Sequence, residues 1–572
     1  MLDLIIRGGT VVDGTGARAR RSDVGVSGGR VVSIGNTDDG AARTVDADGL
    51  VIAPGFIDIH THYDAQLSWD PFATPSPLHG VTTVIGGNCG FSIAPLGSSA
   101  DADYVMRMMA VVEGIPLETL RAGASWDWRS FGDWLDRFEG HLGVNAGFLV
   151  GHSALRRTAM GADATDHEAS DEQLAGMIAL LHDAFDSGAL GFSSSRDAAH
   201  TDGDGASVPS NAASVEELVA LAGVAREHEG TTLEFIPAIG RIPRDRMELM
   251  ADMSLAANRP LNWNLLGSMS PVEIYEQQLE ACDLASERGA RVVALTIPDL
   301  LRIRANNLLD SQREFAEVSA LSDDARRAAL RDPAVRDRLR RSLERAAERG
   351  IEAIGRWDLI EVAEGRSTET DAYAGWTIEK LASVRGADPI DVLLDVVLPE
   401  QLPLTMVLPS LVPSLGRSDE GWKARVAIWQ DERVVLGGSD AGAHLNLLCH
   451  ANYPTVVLSE AVRERKLLSI EAAIRLMTAV PAGLYGLTGR GRLAPGSCAD
   501  IVVLDPARVA TEPPVARFDL PAGGERLFAE ARGIERVLIG GRDVVVDGEL
   551  TGELAGTVLR SGRNTETVTV AG

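Results

Sequence analysis

The stretch PGFIDIHTHYD at 54–64 holds two histidines separated by one residue. In a strand, residues two apart point the same way, so Asp58, His60 and His62 share one face and Ile57, Ile59 and Thr61 the other. Neutral imidazoles paired on one face are natural ligands for a divalent metal ion, and the apolar flanks argue for burial rather than for two surface histidines. A second stretch, VVLGGSDAGAH at 434–444, runs an apolar strand into Asp440. A carboxylate there would bind the metal, take a proton from its water, or do both; an Asp capping the next helix is the plain alternative. His444, four residues on, either points back into such a site or sits in a loop.

Two further stretches end strands in reactive side chains. VIGGNCGFSIAP at 84–95 presents Cys89 among glycines, as a soft thiolate ligand or as a small buried residue packed beside the site. FLVGHSALRR at 148–157 ends in His152, which would bind metal, steady the substrate oxygen, or be structural. Arg156 or Arg157 would offer a bidentate fork to a substrate carboxylate.

These residues need a frame that brings strand ends together. Eight runs read as strands of a parallel sheet: GFIDIH, VTTVIGG, AGFLVGH, ALGFSS, TTLEFIP, PLNWNLL, RVVALTIP and VVLGGSD. LTMVLPSL competes for the seventh place. Helical patterns fall between them, two of which open on Ser followed by acidic residues and close at Gly. Residues 1–54 and 487–572 read instead as short strands and glycine turns. The expected fold is α/β, a (β/α)₈ barrel over 55–486 with a small β-sandwich built from both chain ends; an open sheet is the alternative. In a barrel the C-terminal strand ends form the active face. Loop 196–211 then lies on that face, as a substrate loop or a mobile surface loop. The Arg-rich helical segment 322–350 reads as an inserted, solvated face.

The chain has 572 residues, with 54 Lys and Arg against 82 Asp and Glu, a formal charge of −28. Apolar residues at 45% exclude a disordered chain. The acidity disfavours nucleic acid and anionic membrane surfaces as partners. Cys89, Cys282, Cys449 and Cys498 form no C-x-x-C pair, which fits a reducing compartment. The N-terminal MLDLIIRGGTVVDG does not read as a signal peptide, and a cytoplasmic location is expected. Homo-oligomerisation is left open.

Taken together, PGFIDIHTHYD, GGNCGFSIAP, LVGHSALR, GALGFSSS, RDPAVRDRL, GADPIDVLLDVVL, GGSDAGAH and GRLAPGSCADIVVLDP resemble the amidohydrolase superfamily, and more closely its N-acyl-D-amino-acid deacylase branch. The resemblance implies metal-dependent hydrolysis of a non-peptide amide. It implies a zinc-type ion on His60, His62 and Cys89, with Asp440 activating water and passing its proton to the leaving amine. The same pattern expects histidines at the ends of strands five and six; here TTLEFIPAI and PLNWNLLGS offer Glu234, Asn262 and Asn264. Strand four lacks a lysine and offers Ser and Arg196. The expectation is therefore one divalent ion, zinc, rather than two. It sits on His60, His62 and Asp440, with Cys89, His152 and Glu234 competing for the remaining position. Asp440 and His152 are the expected catalytic groups, and Arg156, Arg196, Asn264 and His444 the substrate contacts. The expected partner is a small-molecule amide. A cyclic-amide hydrolase on the same scaffold, and a binding protein without catalysis, are the alternative readings.

Overall fold

The computed structural model describes residues 1–35, 40–266, 272–296, 301–310, 312–348, 355–363, 367–408 and 419–571. The ends of RVVALTIP (297–298), of PLNWNLLGS (267–268), of LTMVLPSL (409–411) and of the helical segment (349–350) lie outside them.

Two compact units divide the chain, one of residues 1–299, 417–445 and 449–572, the other of 300–416 and 446–448. The first carries an eight-stranded parallel sheet: β1 (Phe56–Asp58), β2 (Val81–Gly86), β3 (Asn145–Gly151), β4 (Gly191–Ser195), β5 (Thr232–Ile236), β6 (Leu261–Leu266), β7 (Val292–Thr296) and β8 (Val434–Leu436), paired in that order. All eight strands expected from the apolar runs are present. Nearly every strand residue is buried, as a parallel sheet covered by crossover helices requires. The curled sheet is that of a (β/α)₈ barrel. Its first and last strands meet just beyond their ends, where Thr61 bridges Ala441 in parallel and the His62 amide donates to the Ala441 carbonyl at 2.7 Å.

Serine caps set the crossover helices as the sequence suggests. Ser170 opens Asp171–Asp186 with a capping box to Gln173, and Ser214 accepts the Glu217 amide at the start of Val215–Val224.

Both chain ends share one sheet. Val51–Pro54 pairs antiparallel with Ile501–Leu504, Pro54 opposite Ile501, and parallel with the strand Leu2–Val11. Leu4, Ile6, Val24 and Ile52 pack with Ile501, Val503 and Leu538 into one apolar cluster, so the terminal domain is held by sequence-distant contacts.

The second unit resolves the competition for the seventh strand. Leu404–Leu408, from LTMVLPSL, is the central strand of a separate antiparallel sheet with Leu301–Arg304 and Ile360–Val362. Phe315, Leu339, Leu381 and Leu393 form this unit's own core. In the Arg-rich helix Pro333–Glu348, Arg336 pairs with Asp391 at 2.9 Å and Asp395 at 2.6 Å. Among the described residues no helix is long and apolar enough to cross a membrane.

Candidate metal centre and active site

The site lies on the seam between β1 and the loop after β8. The Asp440 amide donates to the His60 carbonyl at 3.1 Å, so backbone pairing sets the carboxylate in register with the histidines. Ser439 Oγ donates to Asp58 below them. Gly442 allows this approach, because a Cβ there would stand 2.7 Å from the His62 backbone. His60, His62 and Cys89 are buried. Cys89 (φ 59°), Asp440 (φ 58°) and His444 (φ 48°) all adopt the left-handed backbone that side chains disfavour. Such conformations persist where surrounding contacts over-determine them, often at functional sites.

Four donor atoms converge. Cys89 Sγ is 3.3 Å from His60 Nε2 and 3.7 Å from His62 Nε2. Asp440 Oδ1 is 3.6 Å from His60 Nε2 and 3.1 Å from His62 Nε2. Ligand atoms at ordinary zinc bond lengths in a tetrahedron lie about 3.3–3.6 Å apart. The two imidazoles and the thiol therefore fit a divalent ion in chemistry and spacing, with Asp440 within 3.6 Å of both histidines. His60, His62 and Cys89 form one potential ligand group, and His62, Glu113 and Asp440 a second that shares a histidine.

Charge around these donors is lopsided. Burial pushes Glu234 up to about 8, Asp58 to about 6 and Asp64 to about 7. Glu113 is pushed well above the carboxylate range by burial and by the neighbouring Asp440. The Cys89 thiol is pushed up by burial and then by Glu234 and Glu113. Asp440 is the exception: burial opposes its charge, yet hydrogen bonds with His60 and His62 and the proximity of His62 and His444 hold it well below the usual carboxylate value. A cationic ligand relieves this crowding of carboxylates.

Glu234, a candidate for the ion's remaining position, is engaged with the thiol loop in this structure. Its Oε2 accepts the Cys89 amide at 2.8 Å and its Oε1 accepts the Asn264 amide, so both oxygens hold the loop that carries the thiol. The Asn264 side-chain oxygen makes no hydrogen bond within the described residues. Ser193 Oγ accepts the Gly90 amide at 3.1 Å, and the Ser153 amide donates to the Gly90 carbonyl at 3.0 Å, which clamps that loop from β4 and from just beyond β3.

His152 and Arg156 depart from expectation. His152 Nδ1 lies 2.9 Å from Ser194 Oγ and its Nε2 2.7 Å from Glu217 Oε1, which leaves neither nitrogen for metal or substrate. Arg156 is fully buried and donates to Glu217 and to the carbonyls of Ala164 and His167. A strand-end position put both residues at the correct end of the barrel, but Glu217, on the crossover helix after β4, binds them. Arg157 is tied to Asp101 at 2.8 Å. Arg196 donates to the Ala213 carbonyl. His444 does reach the site, its Nε2 3.5 Å from Asp440 Oδ2. On loop 196–211, His200 Nδ1 lies 2.9 Å from Ser195 Oγ and its ring packs edge-on against Phe91.

The residue that sequence reasoning missed is Glu113. It caps the helix Ser99–Val112, is buried, and places Oε1 3.4 Å from His62 Nδ1. The only local signal is the Gly114 that follows it, whose left-handed φ of 58° ends the helix against His444.

The amidohydrolase family pattern matches residues 43–550. A D-aminoacylase of Alcaligenes xylosoxydans xylosoxydans is 29% identical over 97% of this chain and 97% of its own. An N-acyl-D-aspartate deacylase of the same organism is 30% identical over 98% of this chain and 95% of its own. A solved D-aminoacylase structure, studied for its binuclear metal centre, superposes with a TM-score of 0.62 at 25% identity, covering 98% of this chain and all of the other. With the barrel, the paired termini and the donor cluster on its seam, the chain belongs to the amidohydrolase family, a hydrolase of carbon–nitrogen bonds other than peptide bonds whose buried donors fit a divalent metal ion.

Proposed function

We propose that the protein is a metal-dependent deacylase of N-acyl-D-amino acids. The observation that carries this reading is the placement of Cys89 and Asp440 within 3.1–3.7 Å of the His60 and His62 nitrogens, in a chain whose near-full-length relatives include D-amino-acid deacylases. His60, His62 and Cys89 would hold the ion, which we take to be zinc. Once bound, a divalent ion polarises an amide carbonyl and lowers the pKa of water to about 7.

Asp440 performs the proton transfers. It lies beside the ring nitrogens of both histidines, placed to accept a proton from the attacking water and then deliver it to the departing nitrogen. The His60 carbonyl fixes its backbone, and His444 lies beside its second oxygen, so the carboxylate is confined to the ion's side of the site. Glu234 and Ser193 keep the thiol loop in place. We place the enzyme in the cytoplasm acting on a small-molecule amide; a chain of net charge −28 is a poor match for polyanions.

The test is release of free amine from N-acetyl-D-amino acids and N-acetyl-L-amino acids, and of N-carbamoyl amino acids from hydantoins, by the zinc-loaded protein, before and after chelation. The reading predicts deacylation of the D series, lost on chelation and restored by zinc. Turnover of hydantoins alone, or turnover indifferent to chelation, overturns it.

A further inference from the structure

We propose that Glu113 is the positioning residue for His62, accepting a hydrogen bond from its Nδ1–H and so presenting the Nε2 lone pair to the ion. This rests on the reading of His62 as a metal ligand. His62 is buried, and its Nε2 already faces Cys89 Sγ and Asp440 Oδ1. The opposite ring nitrogen, Nδ1, makes no hydrogen bond within the described residues. A buried N–H without an acceptor is costly. Glu113 Oε1 stands 3.4 Å from that nitrogen, close enough to become its acceptor with a small rotation. Hydrogen bonds at such sites commonly tighten when the site is filled. A histidine that binds a metal through one nitrogen usually donates from the other to a carboxylate or carbonyl, which fixes tautomer and ring angle.

The backbone holds Glu113 in place for this task. Its carbonyl accepts the His444 amide, and Gly114 packs against His444, with only 3.2 Å between a built Cβ and the His444 Cα. His444 in turn lies beside Asp440. The end of the helix Ser99–Val112 is thus fastened to the loop that carries the catalytic carboxylate, and one residue spans the two.

Zinc affinity, measured by competition with a chromophoric chelator on wild type, E113A, E113Q and H62A, tests the assignment. Glutamine keeps an acceptor oxygen where alanine has none. E113A should bind zinc about 10–100-fold more weakly, the range typical when such a partner is lost. E113Q should stay near wild type, and cobalt-loaded E113Q should keep the wild-type absorption spectrum. Unchanged affinity in E113A overturns the proposal. So does loss of a bound equivalent in both variants, which would make Glu113 a ligand itself. Should E113A fail to fold, proton and nitrogen-15 spectra of zinc-loaded wild type and E113Q decide: a His62 Nδ1–H resonance that shifts between the two supports the assignment, and one identical in both overturns it. Unchanged affinity in H62A would instead defeat the reading of His62 as a ligand.

Discussion

Glu234 accepts the backbone N–H of Cys89 at 2.8 Å, and so a carboxylate from the fifth strand holds the thiol loop of the second in a left-handed conformation. Replacing Glu234 by alanine leaves two buried donors, the Cys89 amide and the Asn264 side chain, without their acceptor. Each orphaned donor costs about 1–3 kcal/mol. The variant should melt earlier and bind zinc about 10–100-fold more weakly, as removal of a group that orients a ligand does. Thermal unfolding with a chelator competition checks both, and unchanged zinc affinity would remove Glu234 from the site.

Asp440→Asn keeps shape and loses the base. General acid–base groups contribute about 10²–10⁴-fold, so kcat should fall by that factor while the melting temperature holds. Near-normal turnover of this variant would refute the assigned role.

His152→Ala separates structure from chemistry. The imidazole bridges Ser194 and Glu217 and faces no donor of the metal centre. We expect a loss of about 1.5–3 kcal/mol in stability, the range for hydrogen bonds to charged groups, with kcat/KM within a few-fold of wild type for the protein that remains folded. A large drop in kcat at unchanged melting temperature would return His152 to catalysis.

His79 gives a pH signature away from the metal site. Burial pushes its pKa down to about 4, and its ring lies 2.8 Å from Thr455 Oγ1 and 3.0 Å from the Ala529 carbonyl. The unfolded chain takes up this proton near pH 6.5, before the folded one does. Stability is therefore complete above 6.5 and declines as pH falls towards 4, by about 3 kcal/mol for this group. His79→Gln should flatten the slope of unfolding free energy between pH 6.5 and 4.5. Parallel slopes in the two proteins would show that another group dominates.

Strand identity was legible because a parallel sheet buries both faces, and continuous apolar runs such as VTTVIGG survive in the sequence. The H-x-H pair and Asp440 were legible as strand-end groups because apolar runs precede them, although the first strand ends at Asp58 and both histidines lie just beyond it. LTMVL was ambiguous for the same reason: its apolar texture matches a barrel strand, and only its partners, Leu301–Arg304 and Ile360–Val362, assign it elsewhere. The partner of His152 and Arg156 was not legible because Glu217 lies over sixty residues away, at separations of 65 and 61, on a helix whose serine cap reveals its start but not its target. Glu113 left almost no trace, since a carboxylate at a helix end looks like any solvated residue until the chain returns 331 positions later with His444, as 444 − 113 gives.

The antiparallel match of Val51–Pro54 with Ile501–Leu504 bears on how the molecule is made. A ribosome delivers the first barrel strand and both of its imidazoles early, yet the ribbon just before it waits for nearly the whole message to be translated before it finds its mate. Until then that ribbon offers an open, sticky edge. Products terminated before residue 501 should accordingly clump or be degraded, even though every catalytic side chain has already been synthesised.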